Sequence, residues 1–215
     1  MSEAAVPRHL PDRLGSRTKD IVYSWETLLI LVLLAVFTIN SFASPYFLDP
    51  WNLSDATFNF TEKALIALAM ALLIISGEID LSVAAIVALA STAMGYIASI
   101  GGGTGAMVLA GILTGLACGA FNGLLVTRFK LPSIVVTIGT MSLFRGMSFI
   151  VLGDGVFKGY PADFAFFGQG YVWWVFSFEF VFFLCAAAIY AVLLHKTNFG
   201  RLVYAIGNNE TAALF

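Results

Sequence analysis

Charge is what this sequence has least of. Only 11% of its 215 residues are Asp, Glu, Lys or Arg, while 60% are hydrophobic. A water-soluble domain of this length cannot hide that much apolar surface in one core, so lipid is the expected solvent for most of it. A formal net charge of −2 leaves no basic face of the kind nucleic acid requires. Cysteine is nearly absent too: Cys118 and Cys185 stand alone in apolar runs, too dispersed for a disulfide framework or a metal cluster, and read as small core residues. His9 and His195 are isolated and lack metal-ligand spacing, so no metal site is expected. The phosphate-binding pattern G-x-x-x-x-G-K-[ST] is missing, and there is no Gly-Lys dipeptide from which to build it. No Ser/His/Asp or Cys/His arrangement is apparent, so neither catalysis nor a cofactor bound by this chain is expected.

What is present is long apolar runs. A helix needs about 20 residues to cross about 30 Å of hydrocarbon. Six stretches qualify: 24–43, 60–77, 81–100, 105–127, 132–152 and 171–194. The sequence therefore predicts an all-α polytopic bundle, with a polar tail over 1–23, a membrane domain over 24–194 and a polar segment over 195–215. Arg8, Arg13, Arg17 and Lys19 precede the first span, Arg128 and Lys130 lie between the fourth and fifth, and Lys196 and Arg201 follow the sixth. With six crossings these all fall on one side, and the bias of Lys and Arg toward the cytoplasm puts both termini there. The opposite side receives Lys63 and Lys158. Loops 44–59 and 153–170 carry Pro45, Pro50, Trp51, Pro161 and several aromatics suited to the headgroup level.

Within the spans, Gly111, Gly115, Gly119 and Gly123 recur every fourth residue and make one groove without side chains. Another backbone can approach closely there, from inside the bundle or from a second subunit. Ser76-Gly77-Glu78-Ile79-Asp80-Leu81-Ser82 is a polar break. It reads as a short turn in which Asp80 or Ser82 caps the third span. It reads equally as a helix break on a substrate path, with Glu78, Asp80 and Ser82 as lining. Arg145 and Glu179 lie at similar expected depths. Arg145 is roughly 18–20 Å from the inner face at 1.5 Å per residue, and Glu179 roughly 12 Å below the outer face on the same rise. An intramembrane ion pair between them is expected, because an unpaired charge at that depth is costly.

The last sixteen residues, from Gly200 to Phe215, leave the apolar run as a short helix-competent segment, interrupted at Gly207-Asn208-Asn209. A membrane protein with such a cassette just outside the bilayer offers a soluble partner something to grip.

Several motifs together resemble the bacterial ABC-importer permeases of the ribose, rhamnose and autoinducer-2 type. These are Gly77-Glu78-Ile79-Asp80-Leu81-Ser82-Val83, then Pro132-Ser133 with Thr137-Ile138-Gly139-Thr140-Met141, then Phe144-Arg145-Gly146. The closing Asn198-Phe199-Gly200-Arg201 with Tyr204-Ala205-Ile206-Gly207-Asn208-Asn209 resembles the same family's coupling segment. Glu78 and Ala84 stand where that family usually has Gly, a variant similar to the rhamnose and autoinducer-2 branches. The stretches Gly153-Asp154-Gly155, Lys158-Gly159-Tyr160-Pro161 and Tyr171-Val172-Trp173-Trp174 look most like rhamnose permeases.

The resemblance implies a permease subunit of a sugar importer in the bacterial inner membrane, translocating rhamnose or a related monosaccharide by alternating access. It implies ABC ATPase subunits that hydrolyse the ATP, a second permease subunit and a periplasmic sugar-binding protein as partners. It assigns Gly200, Arg201, Tyr204, Ala205, Gly207, Asn208, Asn209 and Ala212 to the contact with the ATPase, with small residues letting the segment seat closely. Chains of this family continue past that segment into further spans, so this sequence is expected to be truncated. Two other readings stay open. A proton-coupled secondary transporter would relay through Glu78, Asp80 or Glu179, and a truncated remnant would insert without transporting.

Overall fold

The computed structural model describes residues 24–209 and Ala213. Contacts gather the chain into two units, residues 1–53 and 54–215. In the first, helix α1 (Trp25–Ala43) starts at Ser24, whose hydroxyl oxygen accepts the Thr27 N–H at 3.3 Å. None of its side chains is buried, as suits a helix whose solvent is hydrocarbon. Thr38, Asn40 and Ser41 donate back to carbonyls four residues earlier at 2.7–2.8 Å, so these polar groups are satisfied inside the helix. Phe37 and Phe47 meet edge to face at 5.4 Å. Helix α2 (Pro50–Ile75) opens with Asp49 Oδ1 accepting the Trp51 N–H at 2.8 Å and with proline at a position that needs no N–H. It thus begins at Pro50 rather than near residue 60. That cap and the proline start the helix ahead of the apolar run that sequence reading used as its marker.

The second unit holds α2 from Ser54 onward, α3 (Val83–Ser99), α4 (Thr104–Phe129) and α5 (Ser133–Leu152). It continues with a five-residue α6 (Ala165–Gln169), strands β1 (Tyr171–Trp173) and β2 (Phe176–Ser177), then α7 (Phe178–Lys196) and α8 (Asn198–Asn208). Helix α3 packs against both α4 and α5. Its buried residues Ala85, Leu89, Thr92, Gly95 and Ala98 recur on one helical face and are mostly small, which allows close approach. Ala85 and Leu89 meet Cys118 of α4 and Phe144 of α5 in the apolar core. Cys118 is therefore the small core residue expected, whereas Cys185 is exposed on α7.

Among the described residues, five helices are long and apolar enough to cross a membrane. Helix α3 is shorter, at 17 residues, because the polar turn delays its start to Val83 and Gly101, at φ 81°, follows its end. The last long helix starts at Phe178 instead of 171. Residues 171–177 form an antiparallel hairpin pairing Tyr171 with Ser177 and Trp173 with Phe176, turning through Trp174 at φ 46°. Ser177 then caps α7 by accepting the Phe180 N–H at 3.3 Å.

Side-chain contacts sort the connections of this unit into two ends. At one end the hairpin is tied to α2: the Ser54 hydroxyl donates to the Val175 carbonyl, and the Thr57 and Ser177 hydroxyls lie 3.1 Å apart. Phe157, from the long connection after α5, covers the end of α3, its ring 6.4 Å from that of Tyr96. A Cβ on Gly95 would run into the Phe157 ring. At the other end lie the 76–82 turn, the link from α4 to α5 and helix α8.

Candidate functional site

The polar break between α2 and α3 is a turn built from its own side chains. Gly77, at φ 85°, takes the left-handed conformation that reverses the chain after α2. Asp80 Oδ1 accepts both the Ser82 N–H at 2.7 Å and the Ser82 hydroxyl at 2.6 Å. Ser82 precedes α3 but makes no side-chain capping bond of its own, because its hydroxyl is committed to Asp80. Ser82 is fully buried, and its oxygen accepts the Asn122 amide N–H from α4 at 2.8 Å. Asp80, Ser82 and Asn122 thus form one directed relay linking the turn to the middle of the bundle.

Helix α5 holds the outer side of this turn. Ser133 Oγ accepts the Ile79 N–H at 3.4 Å, and the Thr137 hydroxyl reaches the Ile79 carbonyl at 3.5 Å while bonding its own helix at 2.8 Å. Both bonds to Ile79 are near the outer limit of hydrogen-bond geometry, so this latch is weak. Between turn, α4 and α5 lies a cavity of about 390 Å³. Glu78, Asp80, Asn122, Ser133 and Thr137 bring polar groups to it, and Gly119 and Gly123 supply wall without side chains. A second hollow beside it is bordered by Glu78, Lys130 and Ser133. The three candidate lining residues are therefore together, but in unequal roles. Glu78 and Asp80 are half-buried at the cavity, whereas Ser82 sits behind it as a buried relay.

Asn122, Ser133 and Thr137 belong to the site without having been singled out as lining. Asn122 is a lone amide in an apolar helix, a weak signal beside the glycine repeat that flanks it. That repeat divides in the structure. A Cβ on Gly111 would press on the Met94 thioether, while Gly115, Gly119 and Gly123 face no atom within 4 Å of that position. Only the first serves close packing inside the described chain.

Helix α8, over the segment expected to contact an ATPase, has two distinct faces. Thr197 caps α8 by accepting the Gly200 N–H at 3.2 Å, and its hydroxyl donates to the Leu193 carbonyl of α7. Gly200 and Val203 are buried, with Ile206 half-buried on the same side. A Cβ on Gly200 would overlap the Leu194 backbone, and one on Gly207 would overlap the Ile75 carbonyl at the end of α2. These glycines seat α8 on the chain's own helices. Arg201, Tyr204, Ala205, Asn208 and Asn209 are exposed, with Phe199 and Leu202 beside them. The Arg201 guanidinium bonds the Asn198 side chain, and Tyr204 packs edge-on near His195 at 6.5 Å. Ala212 lies outside the described residues.

The expected ion pair between Arg145 and Glu179 is not formed. No salt bridge joins them, and Arg145 is exposed on α5. The reason is the connection between their helices, which runs from Gly153 to Ser177 and carries its own helix and hairpin. Neighbours in sequence need not pack when joined by a link of that length, and α5 and α7 share no extended contact.

Comparison with known proteins fits this architecture. Residues 52–215 match the family model described as branched-chain amino acid transport system / permease component. The ribose import permease protein of Bacillus subtilis (strain 168) is 36% identical over 186 residues, covering 86% of this chain and 58% of that protein. The L-arabinose ABC transporter permease protein of Azospirillum brasilense is 33% identical over 192 residues, 86% of this chain and 55% of the relative. An autoinducer 2 import system permease protein of Yersinia enterocolitica is 31% identical over 187 residues, 86% of this chain and 51% of the relative. The chain thus spans about half the length of these relatives. No solved structure matches it. On the motifs, the helical membrane architecture and these matches, the chain is similar to ABC permeases of the ribose and autoinducer-2 type and belongs to the permease-component family of branched-chain amino acid transport systems.

Proposed function

We propose that this chain is the membrane-spanning subunit, or part of it, of an ABC importer for a neutral monosaccharide, rhamnose or a related sugar. The observation that carries this reading is the seating of α8. An amphipathic helix lies just beyond the last long span, its glycine face closed against α2 and α7 and its other face free. The free face carries Arg201, Tyr204, Ala205 and Asn208. A soluble ATPase gripping that face would push on the carboxyl end of α2 and so on the turn beside the cavity. The sugar would pass by alternating access between two ends of the bundle, with Glu78 and Asp80 at the inner mouth. The partner ATPase hydrolyses the ATP, while a second permease subunit and a periplasmic sugar-binding protein complete the assembly. The bilayer is the bacterial inner membrane, with the 76–82 turn and α8 on the cytoplasmic side.

The test is co-purification of an ABC ATPase with the tagged chain from native membranes, beside an Ala205→Arg variant. A bulky cation on the free face should abolish capture while leaving α8 seated. Capture unchanged by Ala205→Arg, or no ATPase in either sample, would sink the assignment of this helix. Sugar uptake should also persist in the presence of an uncoupler while ATP is maintained. A proton-coupled transporter would lose it.

A further inference from the structure

The hydrogen-bond direction in the relay is fixed by chemistry. The Asp80 carboxylate can only accept, so the Ser82 hydroxyl proton goes to it. The Ser82 oxygen is then left as an acceptor, which assigns the Asn122 nitrogen to it and turns the amide oxygen away. That oxygen, Asn122 Oδ1, is buried and has no hydrogen-bond partner, in a residue only 6% exposed that lines the cavity. Buried acceptors without a donor are rare, and each calls for an explanation.

We propose that the cavity is an inner binding station for a polyhydroxylated, uncharged solute, and that a solute hydroxyl supplies the proton Asn122 Oδ1 lacks. The inference rests on the carbohydrate reading above and adds to it the residue and the atom. The wall suits such a ligand. Glu78, Asp80 and Asn122 Oδ1 are acceptors for hydroxyl protons, Ser133 and Thr137 can give or take, and Leu73 and Val126 offer apolar surface to a C–H face. Two carboxylates at the wall disfavour a ligand that carries a carboxylate of its own. The volume falls within the range of small-molecule sites, about 300–1,000 Å³. In the present state Oδ1 is sealed from solvent. The weak latch at Ile79 lets the turn shift and open it, and the new hydrogen bond offsets the loss of the latch.

The test is protection from labelling in the purified full chain in detergent micelles, which needs no ATPase. Cys118→Ala and Cys185→Ala remove the native thiols, and Thr127→Cys places a reporter on the cavity wall. L-rhamnose should slow maleimide labelling of that thiol at least about threefold at saturation, and leucine should not slow it. Asn122→Leu and Asn122→Ala should lose that protection. Two loss variants are used so that one failing to fold leaves the other readable. Absence of rhamnose protection in the parent chain, protection by leucine as well, or protection surviving in either loss variant overturns the proposal. ATP-dependent rhamnose uptake measured in parallel separates the two readings. Protection without uptake counts against carbohydrate import and keeps the site, whereas uptake without protection removes the site and keeps the import reading.

Discussion

Ser82 is the residue through which most of the site's hydrogen bonding runs: it donates twice to Asp80 and accepts once from Asn122 while fully buried. Ser82→Ala leaves the Asn122 nitrogen without an acceptor beside an oxygen already lacking a donor. A buried group stripped of its partner costs about 1–3 kcal/mol, so thermal unfolding in detergent should shift down measurably. Asp80→Asn keeps an oxygen for the Ser82 N–H and hydroxyl and should cost less. Equal stability of Ser82→Ala and the parent would mean that the relay holds nothing together. Asp80 and Ser82 could be found from sequence because acid and hydroxyl interrupt an apolar run. Asn122 could not. Its partner is forty positions away, and hydropathy averages a single amide into its apolar helix.

At the scale of elements, helices were legible where apolar runs end on clear caps, and boundaries failed where local chemistry intervened. The Pro50 start depends on a turn residue before the apolar run, and the 171–177 hairpin on a two-strand pairing that hydropathy does not register. The two faces of α8 were legible as amphipathicity, but which face meets the chain itself was not, because that depends on where α2 ends. A Gly207→Val variant should unseat α8, since its side chain would enter the Ile75 carbonyl. Faster tryptic cleavage at the exposed Arg201 would report it. Gly115→Ala, facing no atom within 4 Å, should leave both cleavage and stability of the chain unchanged. For α5 and α7, reversing the charges of Arg145 and Glu179 singly and together should give additive effects, with coupling below about 0.5 kcal/mol. A larger coupling would restore the ion pair that sequence depth alone suggested.

For the molecule as a whole, the two ends of the second unit make an orientation test possible. A thiol placed at Ser133 should react with a membrane-impermeant reagent only from the cytoplasmic side, and one at Gly168 only from outside. The same sidedness for both would break the single crossing by α5 between them and the cytoplasmic assignment of α8. The grouping of Arg128, Lys130, Lys196 and Arg201 at one end could be read from the sequence. What the sequence did not disclose was the length and shape of the outer connection after α5, because its short helix and hairpin contain neither a long apolar run nor a repeat.

The joints of this second unit are unequal. Between α4 and α5 the chain spends only Lys130, Leu131 and Pro132, the first held left-handed at φ 53° and the last with its φ fixed by its ring. Between α5 and α7 it spends everything from Gly153 to Ser177. In kinematic terms, α3, α4 and α5, packed together through short joints, would move as one link, and the slack is concentrated outside it. On the function proposed above, a stroke delivered to α8 would be divided between swinging α7 on its long tether and prying the 76–82 turn from the face of that link.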